Sequence, residues 1–284
     1  MKRSVRTPAV AGFFYEAEPA LLRTTVRGLL DRTRRAPARA GTWAALLQPH
    51  AGHVYSGGIA AAGVASVAWP ETAILLGPNH RGEGAGAALS PASAWRTPLG
   101  DVPVDEELGD ELLAACPGLE ADAAAHRQEH SLEVLLPFLQ EAAPGLSVAC
   151  ISVGEPSAAL CFAVGDAVAK VVAAREAKGR RVAVVVSSDL NHYLPRRENR
   201  AKDDRALLAL RGGDPSAFFE TILRREHISM CGVLPATALL RALALLGAGA
   251  AEIVAQGDSG DAFGDVSRVV GYASVVWPRK QEPA

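Results

Sequence analysis

The chain is predicted to fold as one α/β domain, with a central, mostly parallel or mixed sheet and helices on both faces. Three observations predict it. Residues 43–47, 72–76, 146–153 and 181–186 are apolar almost without interruption, the pattern of strands buried on both faces. Stretches with helical spacing of apolar residues separate them, as parallel strands require. No repeat and no low-complexity linker divides the series, so residues 1–284 are expected to form a single unit.

The elements follow in order. After the apolar and aromatic run 9–15, residues 16–32 carry Leu21, Leu22, Val26, Leu29 and Leu30 at helical spacing. Residues 34–41 read as a polar, proline-containing connection. Strand 43–47 runs into Gln48-Pro49-His50-Ala51-Gly52-His53, and the small apolar residues 59–67 suit a helix packed closely on a sheet. Strand 72–76 stops at Gly77-Pro78-Asn79-His80. Short strands are expected at 87–90 and 100–104, flanking a loop at 95–100. Asp105 then caps a helix to residue 116, with Glu106 and Glu107 in its favourable first turn. Leu132, Leu135, Leu136 and Leu139 share a helical face that Pro137 should kink or restrict.

Strand 146–153 precedes a long helix over 157–175. Strand 181–186 ends in Ser187-Ser188-Asp189-Leu190-Asn191-His192. Helices are expected at 203–210, at 214–225 with Asp214 as cap, and at 235–246 before Gly247. Strands at 252–255 and 267–276 close the fold around the glycine- and aspartate-rich loop 257–265. That loop lacks the acidic order of an EF-hand and reads as a turn near the site.

The totals narrow the function. With 49% hydrophobic and 21% charged residues and a net charge of −2, the chain has no extended basic face for nucleic acid. It has no apolar run of ~20 residues for a membrane span and no signal-peptide core. Four widely spaced cysteines form no C-x-x-C pair. A cytoplasmic protein with reduced thiols is expected. The G-x-S-x-G elbow, the Walker motif and a G-x-G-x-x-G after the first strand are all missing.

In such sheets ligands sit beyond the carboxyl ends of the strands, where His50, His80, Asp189 and His192 fall. Two imidazoles and one anionic group make a common divalent-metal set. Asp189, Glu129 and Cys231 are the alternatives for the third donor. The position of Cys231 just before a helix argues for a thiolate; a small buried apolar residue is its competing reading. Asp189 and His192 share a turn, so the carboxylate is expected to orient the imidazole for proton transfer. Its competing role is to cap that turn. Glu129-His130 reads either as a helix-start cap or as a second acid/base pair. His53 is expected behind the site, and His126 and His227 in solvent. Met230 beside Cys231 suits a copper ligand pair, but such sites belong to all-β folds.

Ala9-Val10-Ala11-Gly12-Phe13-Phe14-Tyr15, Pro49-His50-Ala51-Gly52, Gly77-Pro78-Asn79-His80, Trp95-Arg96-Thr97-Pro98-Leu99-Gly100, Glu129-His130-Ser131-Leu132-Glu133, Ser187-Ser188-Asp189 with His192, and Met230-Cys231-Gly232 occur in this order. Together they resemble the Memo family, whose prokaryotic members are labelled AmmeMemoRadiSam system protein B, over about residues 7–276. The family is similar in fold to class III extradiol dioxygenases, which hold non-haem Fe(II) with two histidines and a carboxylate. The resemblance implies His50 and His80 as metal ligands, with Cys231 in the position of the dioxygenase glutamate. It implies His192 as the acid/base, with Asp189 and His130 beside it. Fe(II) is the expected metal, with copper or zinc as alternatives that a thiolate favours. The implied activity is a metal-dependent oxidoreductase acting on a small molecule or peptide; the alternative is a non-catalytic metal- or peptide-binding protein that keeps the fold. The family label implies a functional link to a radical-SAM enzyme and an AMMECR-type protein.

Overall fold

Most of the apolar runs become strands of one mixed sheet, and the carboxyl ends of these strands set the position of the site. The structure is a computed structural model that describes residues 4–33 and 43–278; the 34–41 connection lies outside them. Strand β1 (Val5–Arg6) precedes helix α1 (Pro19–Thr33), which buries Leu22, Val26 and Leu30 at four-residue spacing and leaves Leu21 exposed. Glu18 caps it by accepting the Ala20 and Leu21 amides. Strand β2 (Trp43–Gln48) leads to α2 (His53–Ala65). This helix starts six residues before the expected 59, because its first turns hold Ser56, Gly57 and Gly58, which have weak helix propensity. Tertiary contact overrides that: a Cβ on Gly63 would lie 2.7 Å from the Ser274 hydroxyl, so small residues bring α2 down onto the sheet.

Strand β3 (Thr72–Pro78) is followed by β4 (Ala87–Leu89), β5 (Ala94–Thr97) and β6 (Gly100–Pro103). The expected 95–100 loop is therefore largely an antiparallel hairpin, β5 on β6, and with β1 it forms a separate small sheet. Helix α3 (Glu106–Ala115) has the expected Asp105 cap on the Leu108 amide. After β7 (Glu120–Ala121), α4 (Ala124–Arg127) and a 3-10 turn over Glu133–Leu135 comes α5 (Leu136–Ala142). Pro137 lies in the first turn of α5, where its missing N–H costs nothing, so it starts a helix rather than kinking one.

Then follow β8 (Ser147–Val153), α6 (Ala158–Glu176), β9 (Val182–Ser187), β10 (His192–Leu194) and α7 (Arg196–Gly212). Helix α8 (Pro215–Glu220), capped by Asp214, runs into a π turn over Thr221–Arg225. Helix α9 (Val233–Leu246), β11 (Glu252–Asp258), α10 (Gly260–Phe263) and β12 (Val269–Pro278) complete the chain.

The main sheet runs β10-β12-β2-β9-β3-β8-β4-β7, with β11 paired to β12. Its centre, β2-β9-β3-β8, is parallel, whereas β12 runs antiparallel to β2 and β4 antiparallel to β8. Ala45 and Leu47 of β2 face the core beneath α6 and α9, and Leu46 faces that beneath α1, α2 and α5, so the sheet is covered on both sides. Among the described residues no helix is long and apolar enough to cross a membrane.

Candidate metal centre

The floor of the site is the carboxyl edge of β2, β3 and β9. His50 lies two residues beyond β2, buried, with its amide donating to Asp189 Oδ1 at 2.9 Å. Its Nδ1 lies 2.6 Å from the Ser187 hydroxyl, which itself donates to the Ser131 carbonyl at 2.6 Å. With that hydroxyl proton committed, His50 Nδ1 must carry the donated hydrogen, and Nε2 is left as the basic nitrogen. Burial, with His130 and His80 nearby, pushes the His50 pKa well below the usual imidazole value.

His80 follows β3 and is gripped by one carboxylate: Glu129 accepts its amide at 2.6 Å and its Nδ1 at 2.9 Å. Nε2 is again left free. Burial alone would raise the Glu129 pKa, but the His80 hydrogen bond and charge and the Ser131 amide outweigh it and bring it to about 2.

Cys231 lies before α9. Its Sγ accepts the Asp189 amide at 3.1 Å and sits 3.2 Å from His50 Nε2. A side chain on Gly232 would collide with Ser188 and with the Ser187 carbonyl, so glycine lets this turn lie against the strand end. Donor atoms of His50, His80 and Cys231 lie within 4.8 Å of one another. Two ligands of a tetrahedral ion stand about 3.5 Å apart, given bonds of ~2.0 and ~2.3 Å. The His50–Cys231 pair, at 3.2 Å, would open slightly to share such an ion. The helix-terminus argument for a thiolate does not hold by itself: burial first, then Asp189, pushes the thiol pKa up.

His80, Glu129 and His130 form a second close group. Both Glu129 oxygens are already taken, Oε1 by His80 Nδ1 and the Ser131 amide and Oε2 by the His80 amide. Glu129 therefore works as a holder of histidines rather than as a ligand. His130 stacks on His80 with ring centres 4.6 Å apart and stands edge-on to His50 at 5.4 Å. Burial lowers its pKa to about 4.

The expected pairing of Asp189 with His192 does not form. The buried Asp189 carboxylate turns back to β2 and takes the main-chain N–H groups of His50 and Ala51, and burial raises its pKa to about 7. His192 is held instead by Ser229, whose hydroxyl accepts its amide and whose carbonyl accepts its Nδ1, each at 2.8 Å. Both residues still line the same cavity as the metal-site candidates and His130. His53 is the first residue of α2, its Nε2 on the Val134 carbonyl at 3.0 Å, behind the site as expected. His126, expected in solvent, is buried, with Nε2 on the Ala88 carbonyl. His227 is exposed.

The cavity, about 1060 Å³, is walled by Phe13, Phe14, Tyr55, Tyr193, Phe263 and Tyr272. The 257–265 loop supplies Phe263 and Asp265 to this wall, and Arg196 anchors the loop through Asp258 and Asp261. Phe13 and Phe14 are seated from Glu133, a role the sequence reading missed. This buried carboxylate pairs with Arg6 and accepts the Ala9 and Val10 amides and the Tyr15 hydroxyl. The sequence signal for Glu133 was its place in the Glu129-His130-Ser131-Leu132-Glu133 motif.

Fold and site together define an α/β protein with a candidate metal centre of two imidazoles and one thiol at the carboxyl edge of its sheet. The chain belongs to the Memo family. The family model described as Memo-like protein matches residues 6–276. A MEMO1 family protein of Methanopyrus kandleri is 37% identical over 290 residues, covering 96% of this chain and 99% of that protein. MEMO1 family proteins of Methanosarcina barkeri (36%, covering 96% and 99%) and Aeropyrum pernix (38%, covering 95% and 99%) align over similar spans.

Proposed function

We propose that the chain is a metal-dependent, dioxygenase-like oxidoreductase that takes a small molecule or peptide into the aromatic cavity, with Fe(II) as the first choice of metal. The convergence of His50, His80 and Cys231 at the cavity floor carries this reading. His50 and His80 would bind through Nε2, each with its other nitrogen already paired. Cys231 would bind as the thiolate after losing its proton, a soft donor that also suits copper or zinc. Bound iron or copper would supply the redox and oxygen chemistry that side chains lack. His192 and His130, whose pKa values burial lowers, are neutral near pH 7 and able to accept a proton from substrate. The four cysteines are free thiols, which supports a reducing, cytoplasmic setting.

Anaerobic purification and metal analysis of wild type, His50→Ala and Cys231→Ser test the reading. Wild type should hold a transition metal that both variants lose; equal metal content would sink it. A second reading, metal or peptide binding without turnover, is favoured by the exposure of Phe13, Tyr193 and Phe263 at the cavity mouth. It predicts metal uptake with no consumption of O₂ or peroxide in the presence of any reductant or catechol.

A further inference from the structure

Behind His192 lies a buried polar chain that the proposed chemistry leaves unused. Asp203, Asn199 and Asn191 are each at most 3% exposed. A side chain on Gly271 would collide with the Asp203 carboxylate, so the glycine makes room for it. Asp203 Oδ1 accepts the Asn191 amide at 2.8 Å, and Oδ2 accepts Asn199 Nδ2 at 3.0 Å. Asn199 Nδ2 also donates to the Asn191 carbonyl at 3.1 Å.

Burial raises the Asp203 pKa to about 7, so at pH 8 its carboxylate, like the Asn191 carbonyl, only accepts, and the orientation of every amide in the chain follows. Asn199 must turn its NH₂ to Asp203, which leaves its Oδ1 to receive Asn191 Nδ2 at 2.7 Å. Asn191 Oδ1 is thereby aimed at Ser229, whose amide and hydroxyl donate to it at 3.1 and 3.2 Å. With its proton given to Asn191, the Ser229 hydroxyl accepts the His192 amide. With the Ser229 main chain fixed, its carbonyl accepts His192 Nδ1.

We propose that Asn191, directed by Asp203 through Asn199, is a positioning residue that holds His192 in the Nδ1–H form, so that Nε2 is its basic nitrogen. The inference concerns the imidazole itself and stands whether or not the cavity turns over a substrate.

The test is long-range proton–nitrogen NMR on histidine-labelled full chain, in zinc-loaded and chelator-treated forms at pH 8. Wild-type His192 should show a single form, protonated on Nδ1; the Nε2–H form or a mixture in wild type overturns the proposal without any variant. Asn191→Ala should lose the single form and revert to the mixture of a free imidazole. If that protein does not fold, Asn191→Ser, whose shorter side chain cannot reach the Ser229 amide, should show the same loss. An unchanged His192 signature in a folded variant overturns the proposal. Ser229→Ala keeps the carbonyl and the main-chain N–H and should keep the Nδ1–H form. A merely structural role would lower the melting temperature of the variants and leave the tautomer as it was.

Discussion

Glu129→Gln is expected to weaken transition-metal binding ten- to a hundredfold while the protein stays folded. The carboxylate receives three N–H groups, two from His80 and one from Ser131. Glutamine has the same shape but only one acceptor oxygen. With its NH₂ at Oε2 it faces the His80 amide; at Oε1 it faces both His80 Nδ1–H and the Ser131 amide. Either way His80 loses the charge-assisted bond that fixes its ring and makes Nε2 more basic. Loss of such an outer partner typically costs 10–100-fold in affinity, about 1.4–2.7 kcal/mol. Anaerobic competition with a chromophoric chelator, for zinc and for Fe(II), reads the loss, and thermal denaturation of the metal-free proteins checks the fold. The double variant with His80→Ala should bind no more weakly than His80→Ala alone, since Glu129 acts through His80. Affinity within twofold of wild type, or fully additive losses, would refute the reasoning.

Metal affinity should rise about tenfold per pH unit between pH 7.5 and 9 in chelator competition, because binding expels the Cys231 proton that burial retains; a flat profile would mean that no proton leaves. Gln48 is fully buried with neither amide atom paired to protein, so Gln48→Met should raise stability in denaturant titrations by about 1–2 kcal/mol. A fall instead would show that ordered water pairs the amide. Burial lowers the pKa of His126 from 6.5 to about 4, so the folded chain refuses a proton that the unfolded chain takes below pH 6.5. The contribution of His126 is thus complete above pH 6.5 and is lost as pH falls toward 4, by about 3 kcal/mol at 1.36 kcal/mol per unit. In denaturant titrations His126→Phe should cost stability at pH 7.5, by stranding the Ala88 carbonyl, yet lose less between pH 7.5 and 4.5 than wild type does.

The parallel strands were legible because burial on both faces leaves an unbroken apolar run, and each run stops where a polar residue must meet the ligand edge. His50, His80, Asp189 and His192 could thus be placed at one edge before any geometry. The strand expected at 100–104 is β6, but its hairpin partner β5 was not legible, because Trp95-Arg96-Thr97 carries one apolar residue. The start of α2 was hidden by glycines whose value lies in contact with the sheet, which no propensity scale contains. Histidine exposure was misjudged at His126 because its charged sequence neighbours say nothing of the Ala88 carbonyl, 38 residues away. The partners of the site histidines, Glu129, Ser187 and Ser229, are separated from them in sequence by 49, 137 and 37 residues. Such pairs come from topology, not from local pattern.

Why Cys231 should be the third donor, when the sequence left Asp189 and Glu129 open, follows from what strand ends need. A strand that stops at a pocket exposes main-chain N–H groups without ladder partners. Asp189 takes those of His50 and Ala51, and Glu129 takes those of His80 and Ser131. Turning either carboxylate to a metal would strand two buried donors at about 1–3 kcal/mol each. Cys231 also takes main-chain N–H groups, those of Asp189 and Gly232, but its sulfur keeps capacity for an ion while it does so. The carboxylates thus build the edge that aims the imidazoles, and in the proposed ligand set the negative charge would fall to the thiol. Such a site would hold one soft anion and two neutral nitrogens, and would place copper and zinc in closer competition with iron than a carboxylate set would.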